Sequence, residues 1–222
     1  MVSGEVMSEL AQTVTPQGML AVCDFVDVPL TAVTAASPRP RLVALLANVR
    51  DPGNAGTVLR TADAAGADAV VFADASVDPY NGKCVRASAG SLFHLPVVAG
   101  TRLPETIGAL RDAGLRVVAA DGRAQVTLDD PGIRQTLARP TAWLFGNEAW
   151  GLPAELRELA DESVAVPIYG RAESLNLAAA AAVCMYASSA AMRGGLLKME
   201  DLTLNLSYSP RFYARRTLRE SS

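Results

Sequence analysis

Three short segments carry residue types from which a reaction site can be assembled. The first runs Asn48-Val49-Arg50-Asp51-Pro52-Gly53-Asn54-Ala55-Gly56-Thr57-Val58-Leu59-Arg60. It leaves an apolar run, turns at Asp51-Pro52-Gly53 and enters a helix, with Asn54 placed to cap it. Such a helix start offers free N–H groups and positive potential, a ready place for a phosphate. Gly56 lies one turn below Arg60 on the same helical face, so the missing side chain leaves room for something to approach the guanidinium. A planar guanidinium suits two-pronged binding of phosphate. From spacing alone, a capped turn with a solvated arginine is an equal reading.

The second segment is Leu144-Phe145-Gly146-Asn147-Glu148-Ala149-Trp150-Gly151-Leu152-Pro153. An apolar strand ends in a loop with two glycines, and Pro153 opens the next helix. Loops at strand C-termini are where open α/β sheets bind ligands. Gly146 would let a ligand lie against the backbone, and Glu148 is the polar group best placed to face it. The third is Val166-Pro167-Ile168-Tyr169-Gly170-Arg171-Ala172-Glu173-Ser174-Leu175-Asn176-Leu177 followed by an alanine run. Ser174 is expected to cap that helix, with Asn176 in its first turn. Taken singly, the second segment also reads as an ordinary turn and the third as a plain buried helix.

The elements that must position these segments alternate between strand and helix from Arg41 onward. Short unbroken apolar runs at 42–47, 69–73, 95–98, 116–120, 142–145 and 163–166 read as strands buried on both faces. Helices are expected at 54–66, 103–113, 153–160 and 174–193, the last stopped by Gly194-Gly195. This alternation predicts an α/β fold: a parallel sheet with helices on both faces. Residues 1–40 are too few for a domain, and 31–40 read as a linker rich in Ala, Ser, Thr and Pro. Residues 196–222 form a C-terminal tail bearing Arg211, Arg215, Arg216 and Arg219.

Composition narrows the function. With three cysteines far apart and one histidine, His94, no zinc ribbon or His-based metal site is expected, and a reducing cytoplasm fits. Ser-His-Asp hydrolysis is set aside, because His94 precedes Leu95-Pro96 at an expected strand start and reads as structural. No signal peptide or membrane span is expected. The net charge of −3 argues mildly against a nonspecific nucleic-acid binder but leaves room for a local basic patch.

Together and in this order, the three segments resemble the three motifs of the SpoU (TrmH-like) family of the SPOUT RNA methyltransferases. These are N-x-R-x-P-x-N-x-G-x-x-x-R, then G-x-E-x-x-G, then the S-L-N helix start. The stretch Lys83 to Val97 also resembles the family's region between the first two motifs, and the resemblance spans 41 to about 193. It implies a C-terminal deep trefoil knot forming a pocket for S-adenosylmethionine, and a homodimer that completes the active site. The reaction it implies is methylation of a ribose 2′-hydroxyl in RNA, with ribosomal RNA favoured and transfer RNA the alternative. The matching functional positions are Asn54, Arg60, Glu148, Ser174 and Asn176. The cofactor would lie against Gly146, Val166, Ile168 and Leu175, with Leu144, Asn147 and Gly151 adjoining.

Although Arg60 corresponds to a position often assigned as the base, a guanidinium stays protonated in proteins. Gripping a phosphate and stabilising the developing alkoxide is the role its chemistry suits. Arg50, Lys83, Arg86 and Arg171 are candidate RNA contacts, with Arg41 and Arg123 beside them. The N-terminal piece 8–18 resembles the end of a small RNA-substrate-binding domain found in relatives. Two other readings stand beside this one. A dinucleotide-dependent oxidoreductase lacks its G-x-G-x-x-G after the first strand. A catalytically silent RNA-binding or ribosome-assembly factor would share the fold.

Overall fold

A computed structural model of the chain describes residues 2–194 other than 12, 14 and 17. The basic tail at 196–222 therefore lies outside the described residues. The strands are β1 (Leu42–Ala47), β2 (Ala69–Ala73), β3 (Val97–Thr101), β4 (Arg116–Ala120), β5 (Val126–Thr127), β6 (Thr141–Phe145) and β7 (Glu162–Ala165). They form one sheet of order β3-β2-β1-β6-β4-β7-β5, every pairing parallel. Parallel neighbours need crossovers, which helices supply on both faces as expected.

The register explains the unbroken apolar runs. In β1, Leu42, Ala44 and Leu46 join one core while Val43, Leu45 and Ala47 join the other. With a side-chain period of two and a core on each side, neither set can be polar. The first core receives α3 (Pro52–Ala65), α4 (Gly82–Ser88) and α8 (Leu177–Met192). The second receives α2 (Leu30–Thr34) and α5 (Leu103–Asp112). Two smaller helices, α6 (Ile133–Leu137) and α7 (Ala154–Arg157), and an N-terminal α1 (Gly4–Ala11) complete the set.

Several expected elements shift. Residues 30–34 are helical, because Val33 is buried and Leu30 packs partly buried against the second core, at the i, i+3 spacing of one helix face. The third strand starts at Val97, not 95, and His94 closes a 3₁₀ turn at Ser91–Phe93. The helix expected at 153–160 is only Ala154–Arg157, with Pro153 as its N-cap. α4, α6 and β5 carry no periodic apolar pattern long enough to stand out in the sequence. The alanine-rich α8 packs on α3 and the sheet, where buried Trp143 Nε1 donates to Ser188 Oγ at 2.8 Å. Ser189 Oγ donates to Ala65 O at 2.8 Å, satisfying a carbonyl at the end of α3. Among the described residues no helix is long and apolar enough to cross a membrane.

Candidate active site

The first segment folds around Asp51, which is the N-cap of α3: its Oδ1 accepts from Asn54 N at 2.8 Å, with Pro52 at the first helical position. This corrects the expectation that Asn54 caps the helix. The helix starts two residues earlier than expected, because Pro52 has no N–H to satisfy and a fixed φ suited to its first position. Lys83 Nζ lies 2.8 Å from Asp51 Oδ2, so Lys83 holds α4 to the start of α3 instead of standing free for RNA. The Lys83 ammonium, and then the Asn54 amide, keep the Asp51 carboxyl below its ordinary range.

Relieved of capping, the Asn54 side chain turns to the other two segments. Its Nδ2 donates to Glu148 Oε1 at 3.4 Å, and its Oδ1 accepts from Asn176 Nδ2 at 3.0 Å. Glu148 also accepts from Arg50 N (3.2 Å) and Asp51 N (3.1 Å). Its carboxylate therefore pins the second segment onto the first instead of simply facing a ligand. Asn176 is the N-cap of α8, its Oδ1 accepting from Ala178 N (2.9 Å) and Ala179 N (3.4 Å). Ser174, expected to cap, sits three residues ahead of Leu177 in the approach to α8 and lines a cavity. One hydrogen-bonded chain, Glu148–Asn54–Asn176, thus joins the three segments.

Beside this chain lies a cavity of about 620 Å³. It opens at the C-terminal ends of β4, β6 and β7, where the loops after parallel strands converge. Gly146, Asn147, Glu148 and Gly151 form one wall. Val166, Ile168, Leu175 and Ser174 form another. Of the expected cofactor residues only Leu144 is elsewhere: it is fully buried in the second core, because its side chain points to the face opposite that of Trp143 and Phe145. The loop 146–151 is tight. Asn147 and Gly151 exchange backbone hydrogen bonds of 3.0 and 2.8 Å, and buried Asn147 Nδ2 donates to Asn48 O at 2.8 Å. A Cβ on Gly146 would sit 2.6 Å from the Gly151 backbone. The glycine is thus required first by the chain's own approach to itself, and the backbone it exposes then borders the cavity. Gly56 is corrected likewise: a Cβ there would lie 2.3 Å from Cys84 O, so the space belongs to α4 and not to a ligand approaching Arg60.

Arg60 is exposed, does not line the cavity and makes no hydrogen bond or ion pair among the described residues. Arg50, Arg86 and Arg171 are exposed as well. Arg41 stands at the start of β1, the end of the sheet opposite the cavity, and donates to Ala138 O. Three cavity residues, Asp121, Trp150 and Glu173, escaped sequence reasoning as site residues, and Arg123, read as an RNA contact, lines the cavity as well. Asp121 was findable, since it directly follows β4 as Gly146 follows β6. Its Oδ2 accepts from Arg157 Nη1 at 2.9 Å and its Oδ1 from Arg123 N at 3.0 Å. Burial pushes the Asp121 carboxyl up, but the Arg123 amide and the Arg157 guanidinium outweigh it and leave the group below its ordinary range.

A parallel α/β sheet with a mixed-polarity, glycine-walled cavity at its strand C-termini is the architecture of a protein that holds an extended small molecule against its loop backbones. Comparison gives the family. The SpoU rRNA Methylase family model matches residues 41–186, and the chain belongs to that family. It is 39% identical over 188 residues to a Bacillus subtilis (strain 168) protein named 23S rRNA (guanosine(2553)-2'-O)-methyltransferase RlmP, covering 84% of this chain and 70% of that one. Among solved structures it resembles an AdoMet-bound rRNA methyltransferase from Sinorhizobium meliloti, with a TM-score of 0.71 and 33% identity over 87% of this chain and 71% of that chain. It also resembles the SpoU methyltransferase AviRb from Streptomyces viridochromogenes, with a TM-score of 0.63 and 33% identity over 69% of this chain and 60% of that chain. The chain thus spans about two thirds of the length of these relatives.

Proposed function

We propose that the chain is an S-adenosylmethionine-dependent RNA methyltransferase acting on a ribose 2′-hydroxyl of ribosomal RNA in the cytoplasm. The observation that carries this is the Glu148–Asn54–Asn176 chain, which gathers all three family segments beside one cavity. The residues present fit the cofactor. About 620 Å³ suits a ligand of its size. Val166, Ile168 and Leu175 offer apolar surface, while the 146–151 backbone, Asp121 and Ser174 offer polar partners. When bound, the cofactor supplies an electrophilic sulfonium methyl.

The chain's own residues then have two tasks, alignment and charge. Gly146, Asn147 and Gly151 fix one wall, and Ser174 and Leu175 close the other, so that the 2′-oxygen can be presented in line. Holding both reactants in attack geometry supplies several kcal/mol. Arg60 grips the phosphate next to the target ribose and stabilises the developing alkoxide, whose proton passes to that phosphate or to water. Because Arg60 lies off the cavity, the reading includes a homodimer in which Arg60 of a second copy completes the site. The trefoil knot belongs to the same reading, supported by the convergence of the loops after β4, β6 and β7 on one cavity.

Titration calorimetry with S-adenosylmethionine, its demethylated product and NAD, followed by methyl transfer to 23S rRNA transcripts, tests the proposal. One site per subunit for the first two, none for NAD and a 2′-O-methylated product are expected. Cofactor binding without transfer to any RNA would leave a catalytically silent RNA-binding scaffold.

A further inference from the structure

The 3₁₀ turn at Ser91–Phe93 turns two aromatic rings outward between two buried leucines. Leu92 is 1% and Leu95 8% exposed, whereas Phe93 is 58% exposed and the His94 side chain 60%. The turn is closed by backbone hydrogen bonds: Phe93 N donates to Gly90 O at 2.9 Å and His94 N to Ser91 O at 3.1 Å. It is entered through Ala89 and Gly90 at φ 50° and 97°, a left-handed pair that swings the chain out of α4. His94 Nδ1 lies 2.7 Å from Asp63 Oδ2, which locks the turn onto α3. Asp63 follows Arg60 by three residues, so the two side chains neighbour each other on one flank of that helix. Exposed Arg86 stands in the last turn of α4, the helix that leads into this turn.

A single exposed apolar residue needs no explanation. Here an exposed phenylalanine sits on a hydrogen-bonded turn, tied by its neighbour to the helix that carries Arg60. Covering that ring with a binding partner would be favourable, while its exposure adds little to the stability of the free chain. Unstacked RNA bases are recognised by stacking on aromatic side chains, with arginines on the adjoining phosphates. We propose that Phe93, seated by the His94–Asp63 contact, is a stacking platform for a base of the RNA substrate near the nucleotide gripped by Arg60. The proposal rests on the RNA-methyltransferase reading and adds a preference for looped or single-stranded RNA at this face.

The test compares the full chain with Phe93→Ala and Phe93→Trp, using a mixed-sequence 12-nucleotide single-stranded RNA, a duplex of the same composition and a 23S rRNA transcript. Phe93→Ala should weaken binding of the single strand about tenfold. It should raise KM for the transcript without lowering kcat, and leave cofactor affinity and Tm unchanged. Phe93→Trp should restore the single-strand affinity, and the duplex should be insensitive to both. Wild-type affinity in Phe93→Ala, with methyl transfer intact, overturns the platform alone. Dissociation of Phe93→Ala into monomers overturns it in favour of a contact between copies. A wild-type chain that binds none of the three RNAs overturns the platform and the RNA reading together.

Discussion

The Asn176 amide accepts from Ala178 and Ala179 through its oxygen and donates to Asn54 through its nitrogen, so its two tasks separate by substitution. Asn176→Asp keeps the cap, and a carboxylate at a helix start is favourable. It cannot donate to Asn54, and turning the Asn54 amide over would leave Glu148 facing an oxygen. We expect Tm to hold while kcat falls ~100-fold, the scale of a small misplacement at a reacting centre. A kcat equal to wild type would remove the chain of amides from the mechanism. Arg60→Lys keeps a charge but loses the planar fork, so activity should fall at least ~100-fold with calorimetric cofactor affinity unchanged. Normal turnover would refute a special role for the guanidinium. Gly56→Ala places a Cβ 2.3 Å from Cys84 O, and the α3–α4 contact must open. Thermal unfolding should show a loss of about 1–3 kcal/mol.

Between elements, the wall of the cavity formed by the β4–β5 loop is held by one carboxylate. Asp121 ties that loop to α7 through Arg157, as Asp161 ties the start of β7 to Arg111 and to Val117 N. Burial raises both carboxyls, and the donors around them lower both below the ordinary 3.8 on balance. Folded carboxylates that hold protons less tightly than unfolded ones contribute stability that is present above the unfolded value. That stability is lost as pH falls through the folded one. Tm should therefore stay level near neutrality and fall in the range below about pH 3.8, and Asp161→Asn should flatten the fall. An unchanged profile in that variant would assign the acid sensitivity elsewhere. The salt bridge of Lys83 to Asp51 is about half exposed and contributes little to stability, so its weight lies in orienting α4.

At the scale of the molecule, a site shared between copies has a distinct signature. Arg60→Ala disables one component and Gly146→Val, which would collide with Gly151, disables the other. If each pocket borrows Arg60 from a second copy, an equimolar mixture of the two inactive variants, allowed to exchange subunits, should recover about a quarter of wild-type activity. No recovery would place Arg60 and the cavity in the same subunit. The fold also sorts the three thiols. Cys23 is exposed, while burial pushes Cys184 up to about 12 and, with Asp78 adding, Cys84 likewise. A thiol-specific reagent should titrate one group in the native chain and three after denaturation.

The sequence by itself determined the parallel α/β sheet, because strands buried on both faces must be apolar at every position, as Leu42–Ala47 is. It also determined the three segments and their family, since Asn54, Arg60, Glu148, Ser174 and Asn176 stand at fixed local spacings. What it left open was the partner of each side chain. Asn54 and Ser174 looked like caps because capping is local, yet Asp51 and Asn176 take that role and Asn54 bonds across 94 and 122 residues to Glu148 and Asn176. Gly56 and Gly146 looked like room for a ligand, but the neighbours that need the space, Cys84 and Gly151, come together only when the chain folds. Lys83 looked free until α4 brought it to Asp51. Arg60's distance from the cavity was decided in the same way, since helix rotation and packing, not spacing, determine which side chains share a site.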